Sequence, residues 1–461
     1  KTFEFKASEY DANRHFFLSH YFRDNYDKWL QNTATPLTPI SINKIEIWIT
    51  NKNSNFTEAR NILAFQDLGE HNPNIYNNIP QFQETSGLPY PQNIFPLNDA
   101  NGLYYEMANT YSDVRYVQNI TSTMSQFGNE FLGGRDFEKI EQARKLNPSE
   151  FTVNERLGYI SLNMALNNDE VLAVAYNYTS NGVTYQVGEF STDGIAAPQV
   201  LFLKLIKGTN LTPKLPTWKL MMKNIYNLNA NQLTSADFKL NIVYQNDSTG
   251  TNINYIPEGR INGHILLEVM KLDQLNKQLD PYKDGVFDFV EGITVQSTNG
   301  RIIFPVLEPF GSHLADSLQD PQLIEKYTFQ SLYDSTRTYA EQDAEHNKFR
   351  LIGSYKGSSS AEITLNTLNL QQGSVKVSAG GRELTENVDY TVDYTLGRVK
   401  IINQALLEAG TPISVSTESE DLFTMQRKTL LGGYANYAFS DNFNVGATAL
   451  MMHERPLTEK V

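Results

Sequence analysis

The chain contains no cysteine. This removes disulfide staples, thiol nucleophiles and Cys-ligated zinc or iron–sulfur centres together. It has no long apolar run either: the longest, such as Val200-Leu201-Phe202-Leu203, are strand-sized, far below the roughly 20 residues a membrane helix needs. Any bilayer contact would therefore come from a β-barrel, whose alternating strands give only a weak hydropathy signal. No Lys/Arg cluster interrupts a net charge of -14, so a polyphosphate partner such as nucleic acid would be repelled over most of the surface. The chain shows neither a Gly-x-Ser-x-Gly elbow nor a Gly-x-x-x-x-Gly-Lys phosphate loop. Histidines are few and scattered, at 15, 20, 71, 264, 313, 346 and 453; His15 and His20 are five apart, not the four that put two ligands on one helix face. A charged-then-apolar leader is also missing before the first strand, and the chain stops just after another, so both ends read as cuts through a longer polypeptide.

What is abundant is aromatic: 25 Tyr and 25 Phe favour β structure, and barrel girdles use the same residues. The 461 residues allow roughly two to four domains. Tyr10, Phe17, Tyr21 and Trp29 fall near helical spacing and predict a helix over Ala7 to Leu30, with Ser8 as its cap. The alternation Ile45-Glu46-Ile47-Trp48-Ile49 predicts a strand. Arg60 to Phe65 follows, then a Pro/Asn-rich loop to about Asn101. Ser112 to Lys145 is polar and helix-compatible, broken at Gly133-Gly134. Further strands are expected at Tyr159–Met164, Val171–Tyr178, Thr184–Phe190, Gln199–Leu205 and Phe238–Tyr244, with Asn181-Gly182 as a hairpin turn. From Asn347 to Glu420 short alternating strands separated by Gly turns, among them Val375-Val377-Ala379 and Tyr390-Val392-Tyr394, suggest a small sandwich-like module.

The last forty residues carry the clearest local pattern. Leu431, Gly433, Ala435, Tyr437 and Phe439 share one strand face, with Tyr434 and Asn436 on the other; after Ser440-Asp441-Asn442, the residues Phe443, Val445, Ala447, Ala449 and Met451 form a second apolar face opposite Asn444 and Thr448. Two such strands of about ten residues match a transmembrane β-hairpin. An amphipathic hairpin of a soluble sandwich has the same period. The absence of charge from Thr429 through Phe439 favours the membrane.

One stretch reads as metal-binding. Asp280, Asp284, Gly285, Asp288 and Glu291 occupy positions 1, 5, 6, 9 and 12 of a calcium loop, with Tyr282 at position 3, where an Asp or Asn is expected. The alternative is an Asp-Gly turn leading into a strand at Ile293-Thr294-Val295. Asp389 and Asp393 are near enough to suggest acid/base chemistry, but turn-forming surface acids are commoner. No catalytic constellation emerges.

Four segments resemble the SprA/Sov family of gliding-motility and secretion proteins from Bacteroidetes. They are Ala12-Asn13-Arg14-His15-Phe16-Phe17-Leu18 with Tyr21-Phe22-Arg23-Asp24-Asn25-Tyr26; Lys214-Leu215-Pro216-Thr217-Trp218 with Met221-Met222-Lys223-Asn224; Asp284 to Phe289 running into Gly300-Arg301-Ile302-Ile303-Phe304-Pro305-Val306-Leu307-Glu308-Pro309-Phe310-Gly311; and Asp389 to Tyr394 with Gly397-Arg398-Val399. The final hairpin running into Glu454-Arg455-Pro456 is similar as well. The resemblance implies a mainly β fold with α+β inserts: part of a very large antiparallel outer-membrane barrel plus inserted capping or periplasmic domains. The pattern along the chain divides it into an α+β region of one or two units at 1–345, taken as inserted, a β module at 346–420 and a barrel hairpin at 421–461. The implied function is the protein-conducting translocon of type 9 secretion in the bacterial outer membrane, supporting gliding motility, and not an enzyme. The implied partners are a PorV-like shuttle barrel, a plug protein, outer-membrane lipid and secreted cargo with a C-terminal signal, with no cofactor. A soluble calcium-dependent adhesin or glycan-binding β protein is the alternative, and the hairpin discriminates the two.

Overall fold

The computed structural model describes residues 1–461 except 33–34, 53–57, 78, 84–94, 232, 247–249, 356–357, 360–361, 366–369, 371–372, 380, 387, 396, 402, 404–405, 407–412, 418–426, 441–442 and 456–461. It is mainly β. The chain divides into two compact units, Lys1–Gly357 and Ser358–Val461.

The first unit begins with β1 (Thr2–Lys6), β2 (His15–Phe17) and α1 (His20–Trp29), followed by β3 (Ile40–Ile49), β4 (Arg60–Phe65) and β5 (Phe137–Lys145). Next come β6 (Phe151–Asn154), β7 (Tyr159–Leu162), β8 (Leu172–Ser180), β9 (Val183–Val187) and β10 (Leu201–Lys207). Pairing runs β10–β4–β5–β3–β8, and β8 also pairs with β10. Five strands thus close into a small barrel, with β9 attached to β8; only the β10–β4 contact is parallel. Trp48, Ile62, Ala64, Ile140, Ala143, Ala173, Ala175, Leu201, Leu203 and Leu205 form one buried cluster drawn from all five strands, which is the barrel interior. The alanines fit the narrow lumen that so few strands enclose. The opposite faces of these strands, through Ile47, Leu63, Phe65, Val174, Tyr176 and Phe202, join a larger core. There α1 packs, its Phe22 ring 5.5 Å from Tyr178 and 5.9 Å from Tyr176. The Asn181-Gly182 turn between β8 and β9 forms as expected, with both residues at positive φ, 50° and 80°, the geometry of a type I′ hairpin.

Beyond the barrel lie β11 (Ile225–Asn227), β12 (Lys239–Gln245), β13 (Asn252–Ile253), β14 (Val295–Gln296) and β15 (Arg301–Ile303), then α2 (Ser312–Leu318), α3 (Pro321–Tyr327) and β16 (Phe349–Ser354). The sheets β1–β16–β12–β13 and β11–β15–β14 share a second core with the helices through Tyr226, Ile242, Phe304, Phe310, Leu314 and Phe349.

Two expectations for this unit fail. Helix is confined to His20–Trp29, because His15–Phe17 is a strand paired with Tyr159–Ser161 and the buried Tyr10 belongs to the second core. Residues 137–145, expected to be helix-compatible, are a barrel strand. A register shift opposite β4, with Gln142 at a φ of 52°, puts Ile140 and Ala143, three apart, in the barrel interior while Phe137 joins the other core, and a bulge of this kind erases the period of two.

In the second unit, β17 (Glu362–Thr364), β18 (Val375–Ala379), β19 (Arg382–Glu383), β20 (Tyr390–Asp393), β21 (Arg398–Ile401) and β22 (Ile413–Thr417) make two three-stranded sheets, β17–β21–β20 and β19–β18–β22. Val375, Val377, Tyr390, Val399 and Ile401 share one core, so the alternation in this module becomes strands as expected. The division between the units falls after 357 and not at 345, because Phe349–Ser354 completes the sheet between β1 and β12.

Candidate functional site

The chain's last described element is a two-stranded hairpin, β23 (Arg427–Ser440) and β24 (Phe443–Arg455). Its register pairs Leu431 with Met451, Gly433 with Ala449, Ala435 with Ala447 and Tyr437 with Val445. Directly opposed residues share a face, so these form one apolar surface. The alternate pairs, Tyr434 with Thr448 and Asn436 with Gly446, give a smaller and more polar surface near the turn. Leu430, Leu450 and Met452 continue that second surface away from the turn. All residues over 430–437 and 445–452 are exposed, with Leu450 at 72 % and Tyr434 at 70 %. Among the described residues neither strand has another strand partner. Strands of 14 and 13 residues reach ~45 Å at ~3.3 Å per residue, more than a bilayer crossing needs. An isolated two-stranded hairpin is marginal in water, and this one presents Leu431, Tyr437, Val445 and Met451 exposed on one face.

The calcium-loop spacing does not become a coordination shell. Asp288 accepts the amides of Gln274 and Leu275 at 2.6 and 3.1 Å. Asp284 accepts Val286 N at 3.1 Å, and Glu291 accepts Ser297 N at 3.0 Å. Asp280 reaches only Asn276, at 3.4 Å. Gly285, at a φ of +79°, donates its amide to Asp273, and Tyr282 is exposed. Asp284, Asp288 and Glu291 are thus each turned onto a different backbone amide and Asp280 onto a side-chain amide, and burial pushes Asp288 up to about 6. No group of three or more His, Asp or Glu among the described residues is placed to hold a metal. Asp389 caps a turn through Thr385 N and Asn403 Nδ2, and Asp393 accepts Thr395 N.

The histidines separate by role. His71, His264, His313 and His346 bond to Phe95 O, Glu268, Val269 O and Asp343, while the His453 side chain lies outside the described residues. His20 is buried with Glu70 and Lys204: its Nδ1 is 3.0 Å, and Lys204 Nζ 2.9 Å, from Glu70 Oε1. Burial alone would raise Glu70, but Lys204 and His20 bring it down to about 2.

His15 belongs to a constellation with no signal along the chain. The β2–β7 register sets it directly opposite Ser161, and its Nδ1 lies 2.7 Å from Ser161 Oγ while Nε2 lies 3.0 Å from Asp11 Oδ2. Arg301 Nε, on β15, also donates to Asp11 Oδ2 at 3.0 Å, and Arg14 Nε stands 3.4 Å from Oδ1. Ser161, His15 and Arg301 line a cavity of about 370 Å³ where the β2–β7–β6 and β11–β15–β14 sheets meet. The distances are those of a Ser–His–Asp triad, yet the electrostatics oppose nucleophile activation. Asp11 is shared by the imidazole and two guanidiniums, and burial lowers His15 to about 4, a neutral and weak base at neutral pH. The chain of bonds therefore ties β2 to β7 and aims Arg301.

The chain matches no family model and no curated protein.

Proposed function

We propose that this chain is a stretch of an outer-membrane, protein-conducting translocon like those of the SprA/Sov family. In this reading β23 and β24 are two strands of a very large antiparallel barrel. The first unit is an inserted capping or periplasmic domain, and the β module lies between the two in sequence. Such a pore passes folded cargo in type 9 secretion and needs no catalytic residue. Its partners are a PorV-like shuttle barrel, a plug protein and cargo bearing a C-terminal signal.

The observation that carries the reading is the hairpin, exposed on both faces and open on both edges among the described residues. Hydrocarbon on one face and neighbouring strands at both edges would satisfy it, since in lipid every backbone group must be paired and only a closed barrel achieves this with strands. The adhesin alternative drew on a calcium loop whose carboxylates do not converge.

The test is purification of the full-length native protein in mild detergent, with mass spectrometry of what accompanies it. Recovery from the outer membrane with a PorV-like barrel or secreted cargo is expected. Recovery as a soluble, partner-free protein would overturn the proposal.

A further inference from the structure

We infer that the cavity between the β2–β7–β6 and β11–β15–β14 sheets binds a small hydroxylated carboxylate through Arg301. Arg301 is only 6 % exposed, and its one side-chain hydrogen bond uses Nε. Nη1 and Nη2 have no hydrogen-bond partner among the described residues, yet neither is sealed from solvent, and the residue lines the cavity. A guanidinium carries five N–H donors in a fixed fork; here one is spent on Asp11, and the fork's other donors are presented to the cavity. A carboxylate is the geometric complement of that open fork.

Asp11 is the carboxylate bonded to both Arg301 and Arg14. Of the acids at the rim, Glu291 is turned onto Ser297 N. Glu155 and Arg156 also line the cavity, and the Arg156 guanidinium donates to Pro36 O.

The hydroxyl requirement follows from Ser161. With His15 Nε2–H donating to Asp11, Nδ1 accepts the Ser161 proton, and Ser161 Oγ has only lone pairs left for a ligand. It accepts from a hydroxyl and does not bind the carboxylate. Thr152, Asn154, Tyr159 and Gln296 complete a polar wall suited to further hydroxyls. The volume of about 370 Å³ admits a molecule the size of a monosaccharide acid.

Titration calorimetry of the intact protein with sodium glucuronate, glucose and sodium acetate tests this. Glucuronate is expected to bind one to one, acetate at least tenfold more weakly, and glucose not at all. Arg301→Lys, which keeps the charge but removes the fork, should weaken glucuronate at least tenfold. Because Arg301 also bonds Asp11, a second variant, Thr152→Trp, fills the cavity from its exposed wall without touching that pair, and it too should abolish binding. Absence of glucuronate binding to the native protein overturns the inference, as does binding that survives both substitutions. Neither outcome bears on the translocon reading, which rests on the hairpin.

Discussion

His15 shows how a residue's neighbours set its contribution to stability. In the unfolded chain its ring takes a proton near 6.5; in the fold, burial delays this to about 4. Between those values the unfolded state holds more protons, so this contribution is fully present above pH 6.5 and is lost as the pH falls toward 4. The loss is on the order of 3 kcal/mol. Asp11, held at about 2 against 3.8 although burial works the other way, adds a further loss below pH 4. Groups such as Asp288, raised to about 6 by burial, act in the opposite sense, so the comparison with a variant isolates His15. Chemical denaturation of His15→Gln should show a stability that changes less between pH 7 and pH 4 than that of the parent. Parallel pH dependences would show that the ring does not titrate as argued. Nothing in the spacing of Asp11, His15, Ser161 and Arg301 reveals that they meet, since Ser161 is 146 residues from His15 and Arg301 is 290 from Asp11.

Elements were legible where a single physical requirement dominated. The Asn-Gly turn and the hairpin faces follow from turn chemistry and from a period of two, and the strand expected at Gln199–Leu205, found at Leu201–Lys207, from a short apolar run. β5 did not, because its bulge near Gln142 breaks the period of two. In the hairpin, the proposed lipid face contains Ala449 near mid-strand, and Thr448 lies on the other face. Ala449→Arg should cost about 2–4 kcal/mol if the site sits at the bilayer midplane, and so lower the amount of folded protein recovered in outer-membrane fractions. Thr448→Arg, directed to a water-filled lumen, should be recovered at close to parental levels. Equal recovery of both variants would mean that the two faces do not differ in environment.

For the molecule as a unit, the buried Lys204–Glu70–His20 group has the widest reach. It connects the outer wall of the small barrel at β10 to the turn after β4 and to the first turn of α1. Lys204 is fully buried and Glu70 nearly so. Lys204→Met leaves Glu70 charged in an apolar setting, and removing one partner of a buried pair costs about 3–5 kcal/mol. The urea midpoint of the first unit should fall accordingly, and adding Glu70→Leu should restore part of the loss. A single variant as stable as the parent would show that the pair is not the link between these segments. The five-strand closure itself was invisible in the sequence, because β10 pairs with both β4 and β8, and strand order depends on which edges meet and not on any strand's own pattern.

The sequence by itself determined the β character, the module's alternation, the two faces of the final hairpin and the exclusion of thiol chemistry and disulfides. Each depends on residue type or on neighbours within a few positions, where sterics and hydrophobic period act directly. The tertiary structure alone decided that the acids at 280–291 turn onto separate amides and not onto one another, that residues 137–145 form a barrel wall, and that His15, Ser161 and Arg301 line one cavity while Asp11 links His15 to Arg301. Those outcomes depend on register between strands distant in the chain. A register shift of one residue would turn His15 away from Ser161 and leave both residues' local patterns unchanged.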